Sequence, residues 1–287
     1  MKAFELARGD ESALCAFDSA LTQEPALPEK TYGELRALSR AIAGELRRAH
    51  SGGESLPALL LCEDRYYFAA ALLGALEAGV SVTLPPSRGS ASLAALGPRH
   101  VTLHDGTAPI AQGTLIDVRT LEHGLAASGA APLGPVEAER VVVTLYTSGS
   151  QGEPVAWRKR ARQVLGEAEL QASSLGLSPS DRVLGTVPAQ HIYGLLFALL
   201  APLAAGASFA RRTPLHGSSI VALASSAAVT RLVSVPAHYE VIAEALEAPQ
   251  GPRLPASLRE GVSSGARLAP ALAKRLDALG LSVTDVL

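Results

Sequence analysis

The chain has 287 residues, a formal net charge of −2, 48% hydrophobic residues and 18% charged ones. That length accommodates one large or two smaller α/β units with a sizeable core, and the composition excludes a disordered chain. The lack of a basic excess argues against nucleic acid as the main partner. Cys15 and Cys62 lie in apolar-leaning segments and read as small core residues of a reducing compartment, with neither metal spacing nor a disulfide framework. Residues 1–12 carry Glu5, Asp10 and Glu11 and lack the apolar stretch of a secretory leader, so a cytoplasmic location is expected.

Thr31 and Glu34 have the spacing of a capping box, and Leu35, Leu38, Ile42 and Leu46 follow on one face. An amphipathic helix from Thr31 to about Ala49 is predicted, ended by Ser51-Gly52-Gly53. Leu56 to Cys62 then reads as a buried strand, Tyr66 to Ala78 as an apolar helix stopped by Gly79, and Val80 to Leu84 as another strand. Short strands are expected at His100–His104 and Thr114–Val118, and a surface connection at Ala127–Pro135. A helix from about Arg160 to Leu175 stops at Gly176, with strands at Arg182–Val187 and Leu232–Val235 beyond it. The apolar helix–Gly–strand pattern recurs at Tyr193–Ala205, Gly206 and Ala207–Ala210. Pro236 opens a helix, Leu268 to Leu279 forms another stopped by Gly280, and Leu281 to Leu287 reads as a strand. Residues 192–210 contain no charge, but Pro202 and Gly206 interrupt them and no membrane span is expected. The alternation predicts a doubly wound α/β fold.

The β-branched run Val141-Val142-Val143-Thr144-Leu145 opens into Tyr146-Thr147-Ser148-Gly149-Ser150-Gln151-Gly152-Glu153-Pro154. Gly149 and Gly152 can take positive φ and let backbone N–H groups converge, and Thr147, Ser148 and Ser150 add hydroxyls at the same place. Converging donors at the end of a strand suit a polyphosphate. An ordinary Gly/Ser turn after a core strand remains the alternative.

Residues Thr147 to Pro154 resemble the phosphate loop of the adenylate-forming superfamily, which includes acyl- and aryl-CoA synthetases, luciferases and peptide-synthetase adenylation domains. Further resemblances occur in order: Thr31-Tyr32-Gly33-Glu34-Leu35 to an early helix, Leu59 to Pro85 to a strand–helix–strand unit, Pro188 to Gly194 to a Pro-x-x-His-x-x-Gly segment, and Val235-Pro236 and Ser263 to Leu268 to pocket motifs. The similarity runs from about Thr31 to the last residue. It implies two doubly wound, mostly parallel sheets packed together under helices. The first subdomain would span residues 55–175, and the second would combine 1–54 with 176–287.

The implied activity joins a fatty or aryl carboxylic acid to the α-phosphorus of ATP, with Mg²⁺, and passes the acyl group to a thiol of CoA or an acyl carrier protein. By resemblance, Thr147, Ser148, Gly149, Ser150, Gln151 and Gly152 bind phosphates, with Lys159 as a supporting cation. Ser264, Gly265, Ala266 and Arg267 run along the adenine. His191 is the candidate catalytic residue, gating an acyl pocket lined by His191, Tyr193, Gly194, Pro236 and Ala237, with Gly194 opening room for the acyl group and His238 outside it. No protein ligand set for a metal is assigned.

Several positions depart from the pattern. Gln151 stands where the superfamily usually has Thr, Val155 where it has Lys, Ser264 where it has Gly, and Arg267 where it has Pro. The Val155 position costs the phosphates a counter-charge, which the cluster Arg158, Lys159, Arg160 and Arg162 at a helix start could supply. Gly261-Val262-Ser263-Ser264-Gly265 also fits the nucleophile elbow of α/β-hydrolases, but no His follows Ser263 to complete a triad. Leu287 falls at the aromatic position of the superfamily's aromatic-Gly-x-Thr-Glu motif. The carboxylate for Mg²⁺ and the C-terminal catalytic Lys would lie beyond it. The resemblance therefore implies an incomplete, inactive portion of a ligase. A non-catalytic nucleotide- or acyl-binding relative, or a partner subunit, is the alternative.

Overall fold

The computed structural model describes residues 2–20, 24–50, 56–97, 99–106, 113–125, 131–148 and 154–286. Thr31 caps helix α1 (Tyr32–Ala49) with the expected reciprocal box: the Glu34 N–H donates to Thr31 Oγ1 at 3.2 Å, and the Thr31 N–H donates to Glu34 Oε2 at 2.8 Å. Two short strands precede the helix with a third at its cap: β1 (Ala3–Phe4), β2 (Leu14–Phe17) and β3 (Lys30–Thr31). After it come β4 (Ala58–Leu61), α2 (Arg65–Ala78), β5 (Val82–Thr83), α3 (Ser90–Leu96), β6 (Val101–His104), β7 (Thr114–Asp117), β8 (Val136–Glu137) and β9 (Val141–Ser148). The second half contains β10 (Pro154–Arg160), α4 (Ala161–Ser174), β11 (Arg182–Gly185), α5 (Ile192–Leu195), a π-helical turn (Leu196–Leu200), α6 (Ala201–Ala205) and β12 (Ser208–Ala210). It ends with α7 (Gly217–Ser226), β13 (Arg231–Ser234), α8 (Pro236–Glu247), β14 (Glu260–Ser263), α9 (Pro270–Ala278) and β15 (Val283–Asp285). The predicted helix stops at Gly79 and Gly206 are left-handed, with φ of 87° and 72°.

Among the described residues the strands form a six-stranded sheet, ordered β10-β9-β5-β4-β6-β7, and a seven-stranded sheet, ordered β15-β14-β13-β11-β12-β2-β3. β1 and β8 form a separate antiparallel pair. Only β10 in the first sheet and β3 in the second run antiparallel to their neighbours. In each sheet the strand order reverses around an inner strand, β4 in one and β11 in the other. Both sheets are therefore doubly wound, and each has a crevice at the carboxyl ends of its strands. One apolar cluster contains Leu60, Val82 and Val143 of the first sheet together with Val183, Phe209 and Val233 of the second. A second cluster joins Leu184 and Leu232 to Ile220, Tyr239 and Leu272 of α7–α9 on the outer face. No described helix is long and apolar enough to cross a membrane.

The helix predicted from about Arg160 is present as α4, which starts at Ala161 with Arg160 at its N-cap. The strand before it was not predicted: Pro154–Arg160 pairs antiparallel with β9. Proline is tolerated in first position on an edge strand, and pairing with the long β9 overrides the helix-forming preference of Arg and Lys. Strand β2 and helix α7 were not predicted either.

The two sheets are joined by a buried cation. Arg65, the first residue of α2, is 1% exposed. Its Nη1 donates to the Ala210 and Arg212 carbonyls at 2.6 and 3.1 Å. Its Nη2 donates to the Gly185 and Val187 carbonyls at 3.2 and 3.1 Å, and to Thr213 Oγ1 at 3.0 Å. These acceptors lie where β11 and β12 end, so a side chain anchored in the first sheet satisfies the exit carbonyls of the second. Alongside, the α2 cap Asp64 accepts from the Tyr66 N–H at 2.8 Å and pairs with Arg211 at 2.5 Å. Replacing Arg65→Met keeps the bulk but leaves buried carbonyls without donors. Urea unfolding should show a loss of about 3 kcal/mol or more; a loss below about 1 kcal/mol would refute the clamp.

Candidate functional site

The crevice of the seven-stranded sheet begins with three hydroxyls. Ser234 and Ser263 end β13 and β14 in register, and Thr186 directly follows β11 beside them. All three residues are fully buried. Thr186 Oγ1 and Ser234 Oγ share a hydrogen bond of 2.6 Å, and His238 Nδ1 meets Thr186 Oγ1 at 2.9 Å. Ser263 Oγ has no partner among the described residues. Sequence reasoning left His238 outside the site. Its position in the first turn of α8, three residues into a helix opened by Pro236, is the signal that could have found it.

Residues 188–194 leave β11 and turn into α5. His191 is the N-cap of α5, yet its side chain makes no capping bond. Desolvation of its ring holds its pKa below the ordinary imidazole value, so it stays neutral at neutral pH. The Tyr193 hydroxyl donates to the Val262 carbonyl at 2.8 Å and lies 3.1 Å from that of Ser234. Its ring packs against Phe197 with centroids 5.0 Å apart. Tyr193 therefore presents a ring wall, with its hydroxyl committed to strand ends. Gly194 does not open space as expected: a Cβ there would lie 2.2 Å from the Pro188 carbonyl oxygen. Glycine is required because the backbone folds back on itself.

Pro236 is half-buried and Ala237 is exposed at the start of α8. Ser264 is half-buried, while Gly265, Ala266 and Arg267 are exposed. Their turn is pinned from β15, where Asp285 Oδ2 accepts from the Leu268 N–H at 3.0 Å and the Val286 N–H donates to the Ser263 carbonyl at 2.9 Å. The fold thus gathers residues 188–194, 235–238 and 263–268 at adjacent strand ends.

The phosphate-loop candidates Gly149, Ser150, Gln151 and Gly152 lie outside the described residues, between β9 and β10. Thr147 and Ser148 end β9, facing Val155 and Pro154. Lys159 faces Val143, five pairs from the loop end. At about 3.4 Å per residue that is roughly 17 Å, beyond the reach of a lysine side chain. Along the described strands Lys159 therefore sits far from Ser148 and Pro154, the strand ends that flank the loop. Val155, at the loop end, is 47% exposed.

A second crevice, which sequence reasoning missed, opens where β4, β6 and β12 end. It encloses about 860 Å³ and is lined by Cys62, Arg88, Asp105, Gln190, Thr213 and Leu215, among others. Its lining comes from segments far apart in the chain, and it meets the first crevice at residues 188–190. Its cations are held internally: Arg88 pairs with Glu63 at 2.8 Å, and Arg212 with Asp18 at 2.8 Å. Among the described residues no three His, Cys, Asp or Glu side chains converge to hold a metal.

Two outcomes test this geometry. Gly194→Ala should destabilise the fold by about 1–3 kcal/mol in denaturant titration; unchanged stability would restore the open-pocket reading. Burial holds the His238 pKa below its ordinary value of 6.5, so the unfolded chain takes up the proton first as pH falls. The stability it supports is complete above that value and is lost as pH drops from there through the folded-state pKa. His238→Gln should flatten part of the decline in unfolding midpoint between about pH 7 and about pH 5, and an unchanged decline would exclude His238 as a contributor.

Residues 18–286 match the family described as AMP-binding enzyme. A sulfoacetate–CoA ligase of Cupriavidus necator is 30% identical over 159 residues, covering 55% of this chain and 30% of that protein. A 4-coumarate–CoA ligase of Rhodobacter capsulatus is 33% identical over 151 residues, covering 52% of this chain and 37% of that protein. The matches thus span about a third of these relatives' own length. The o-succinylbenzoate coenzyme A synthetase of Bacillus subtilis, solved in complex with ATP and magnesium ion, superposes with a TM-score of 0.75 at 22% identity, covering 95% of this chain and 56% of that one. At that identity the superposition establishes the fold. With its family match over nearly its whole length, the chain belongs to the AMP-binding enzyme family, the adenylate-forming group that its loop and pocket segments resemble.

Proposed function

We propose that this chain supplies the nucleotide- and acid-binding part of an ATP-dependent carboxylate-activating ligase. The observation that supports this most is the convergence of residues 188–194, 235–238 and 263–268 at the switch point of the seven-stranded sheet. In this reading the acid's carboxylate attacks the α-phosphorus of ATP and pyrophosphate leaves. A thiol of CoA or a carrier protein then takes the acyl group and AMP departs. Residues 147–152 hold the β- and γ-phosphates of the Mg²⁺–ATP substrate through backbone donors and hydroxyls. Ser264, Gly265, Ala266 and Arg267 border the adenine. Tyr193, Pro236 and Ala237 wall the acid, and His191, kept neutral, offers an uncharged hydrogen bond to its carboxylate. Residues 55–175 and the combination of 1–54 with 176–287 form the two subdomains that bracket the substrates.

A second reading, binding without catalysis, draws on Val155 at the loop end and on the distance of Lys159, which together leave the phosphates without a nearby lysine.

Titration of the chain with Mg²⁺–ATP should give saturable heat, and Gly152→Val should weaken binding at least about tenfold, the equivalent of about 1.4 kcal/mol. ATP binding indifferent to that substitution would overturn the nucleotide assignment. Acid-dependent ATP–pyrophosphate exchange across fatty and aryl acids separates the two readings. Tight ATP binding with no exchange for any acid favours the second.

A further inference from the structure

Three adjacent strand ends carry one row of hydroxyls. Thr186, Ser234 and Ser263 continue the register of β11, β13 and β14, so their side chains share a face of the sheet. Val233 and Val262 belong to the interior between the sheets, and Leu232 to the cluster under α7–α9. Alternation therefore turns Ser234 and Ser263 toward α8, the helix that carries His238. Proton count fixes the direction of the hydrogen bonds in this row. Among the described residues Ser234 Oγ meets only Thr186 Oγ1, and Ser263 Oγ meets nothing, so Ser234 has a single acceptor for its proton. Were Thr186 to donate to Ser234, that buried proton would be left unpaired, which is costly. In the opposite sense every proton is used: Ser234 donates to Thr186, and Thr186 donates to His238 Nδ1. His238 then carries its own proton on Nε2. The ring is half-buried, and its Nε2 makes no hydrogen bond among the described residues and is not sealed in. Burial keeps the imidazole uncharged at neutral pH.

We propose that His238 selects the substrate by presenting a fixed, uncharged N–H to a second oxygen acceptor on the acid, apart from the reacting carboxylate, and that Thr186 and Ser234 are the residues that position it. That the ligand is an acid rests on the ligase reading above. His191 and His238 reach the crevice from opposite faces of the sheet. His191 caps α5, whose Leu195 lies in the interior between the sheets, and His238 stands on α8, whose Tyr239 and Ile242 lie in the outer cluster. An acid held by both spans the strand ends, with its reacting carboxylate toward His191 and its second oxygen toward His238. The class is a dicarboxylic acid or an acid with a carbonyl at its far end. A plain hydrocarbon chain would strip water from the N–H and put no acceptor in its place. A donor held in one tautomer also rejects an ammonium group at that position.

Nitrogen NMR of the chain labelled with ¹⁵N-histidine reads the tautomer directly, and the ring signals lost in His238→Ala assign it. The expected ring at neutral pH has a bare Nδ1 and a protonated Nε2; a proton on Nδ1 would overturn the proposal. Thr186→Val should leave a mixture of both tautomers, and an unchanged ring would overturn the positioning role. Circular dichroism checks that each variant keeps its fold. The binding probes are linear dicarboxylates from succinate to suberate, each beside the monocarboxylate of equal length, and terephthalate beside benzoate. At least one dicarboxylate should move the His238 Nε2 resonance and bind at least about tenfold more tightly than its monocarboxylate partner. That preference should vanish in His238→Ala and return in part in His238→Gln, whose amide still donates. Equal binding within every pair, a preference that survives His238→Ala, or no binding of any probe would overturn the proposal. These readouts use no nucleotide, so a chain that keeps the dicarboxylate preference but binds no Mg²⁺–ATP would sink the ligase reading alone.

Discussion

The fold depends on a buried guanidinium that, among the described residues, forms no ion pair. Parallel strands end with carbonyls that the sheet itself does not satisfy, and burying them beneath a second layer requires donors from elsewhere. Arg65 supplies those donors to Ala210, Arg212, Gly185 and Val187 from the first turn of a helix that belongs to the other sheet. Arg suits this task because its planar fork spreads several donors over a charge less strongly hydrated than an ammonium. Because these carbonyls sit at the start of residues 185–194 and 210–216, the clamp also fixes where the linings of both crevices leave their strands.

What those crevices offer is mostly short and neutral. Hydroxyls, carbonyls, a tyrosine ring and two imidazoles held uncharged surround the ends of β11, β13 and β14. The charged side chains that do line the neighbouring cavity are tied to each other or to backbone. A polyanionic ligand in such a place is met by oriented dipoles more than by mobile cations, which is how a glycine- and hydroxyl-rich loop after a strand works. Asp285 holds the turn of residues 264–268 through the Leu268 N–H, which adds rigidity beside these strand ends.

Elements whose signals are local could be read from the sequence. The Thr31/Glu34 cap, the stops at Gly79, Gly176, Gly206 and Gly280 and the apolar helices depend on neighbours in the chain, and the structure has them, while the predicted stop at Ser51-Gly52-Gly53 lies outside the described residues. Order along the chain also sufficed for the fold class. Features made by distant partners were not legible. Arg65 finds its acceptors 120 to 148 residues away, and nothing in Glu63-Asp64-Arg65 announces them. Gly194 reads as pocket space until the Pro188 carbonyl is seen against it. β10 was missed because its Arg and Lys are weak strand formers on their own, while its strand form comes from β9. Lys159 was placed near the loop by closeness in sequence, and five positions along an extended strand span about 17 Å.

The apolar cluster that unites both sheets has a consequence for how the molecule comes apart. Leu60 and Val143 share one interior with Phe209 and Val233, and α1 and α2 contribute to the same interior. Neither layer can lose its packing without exposing the other's oily side to water. Heating should therefore produce a single calorimetric endotherm, with both sheets lost together in one cooperative event, although the chain contains two separately wound topologies.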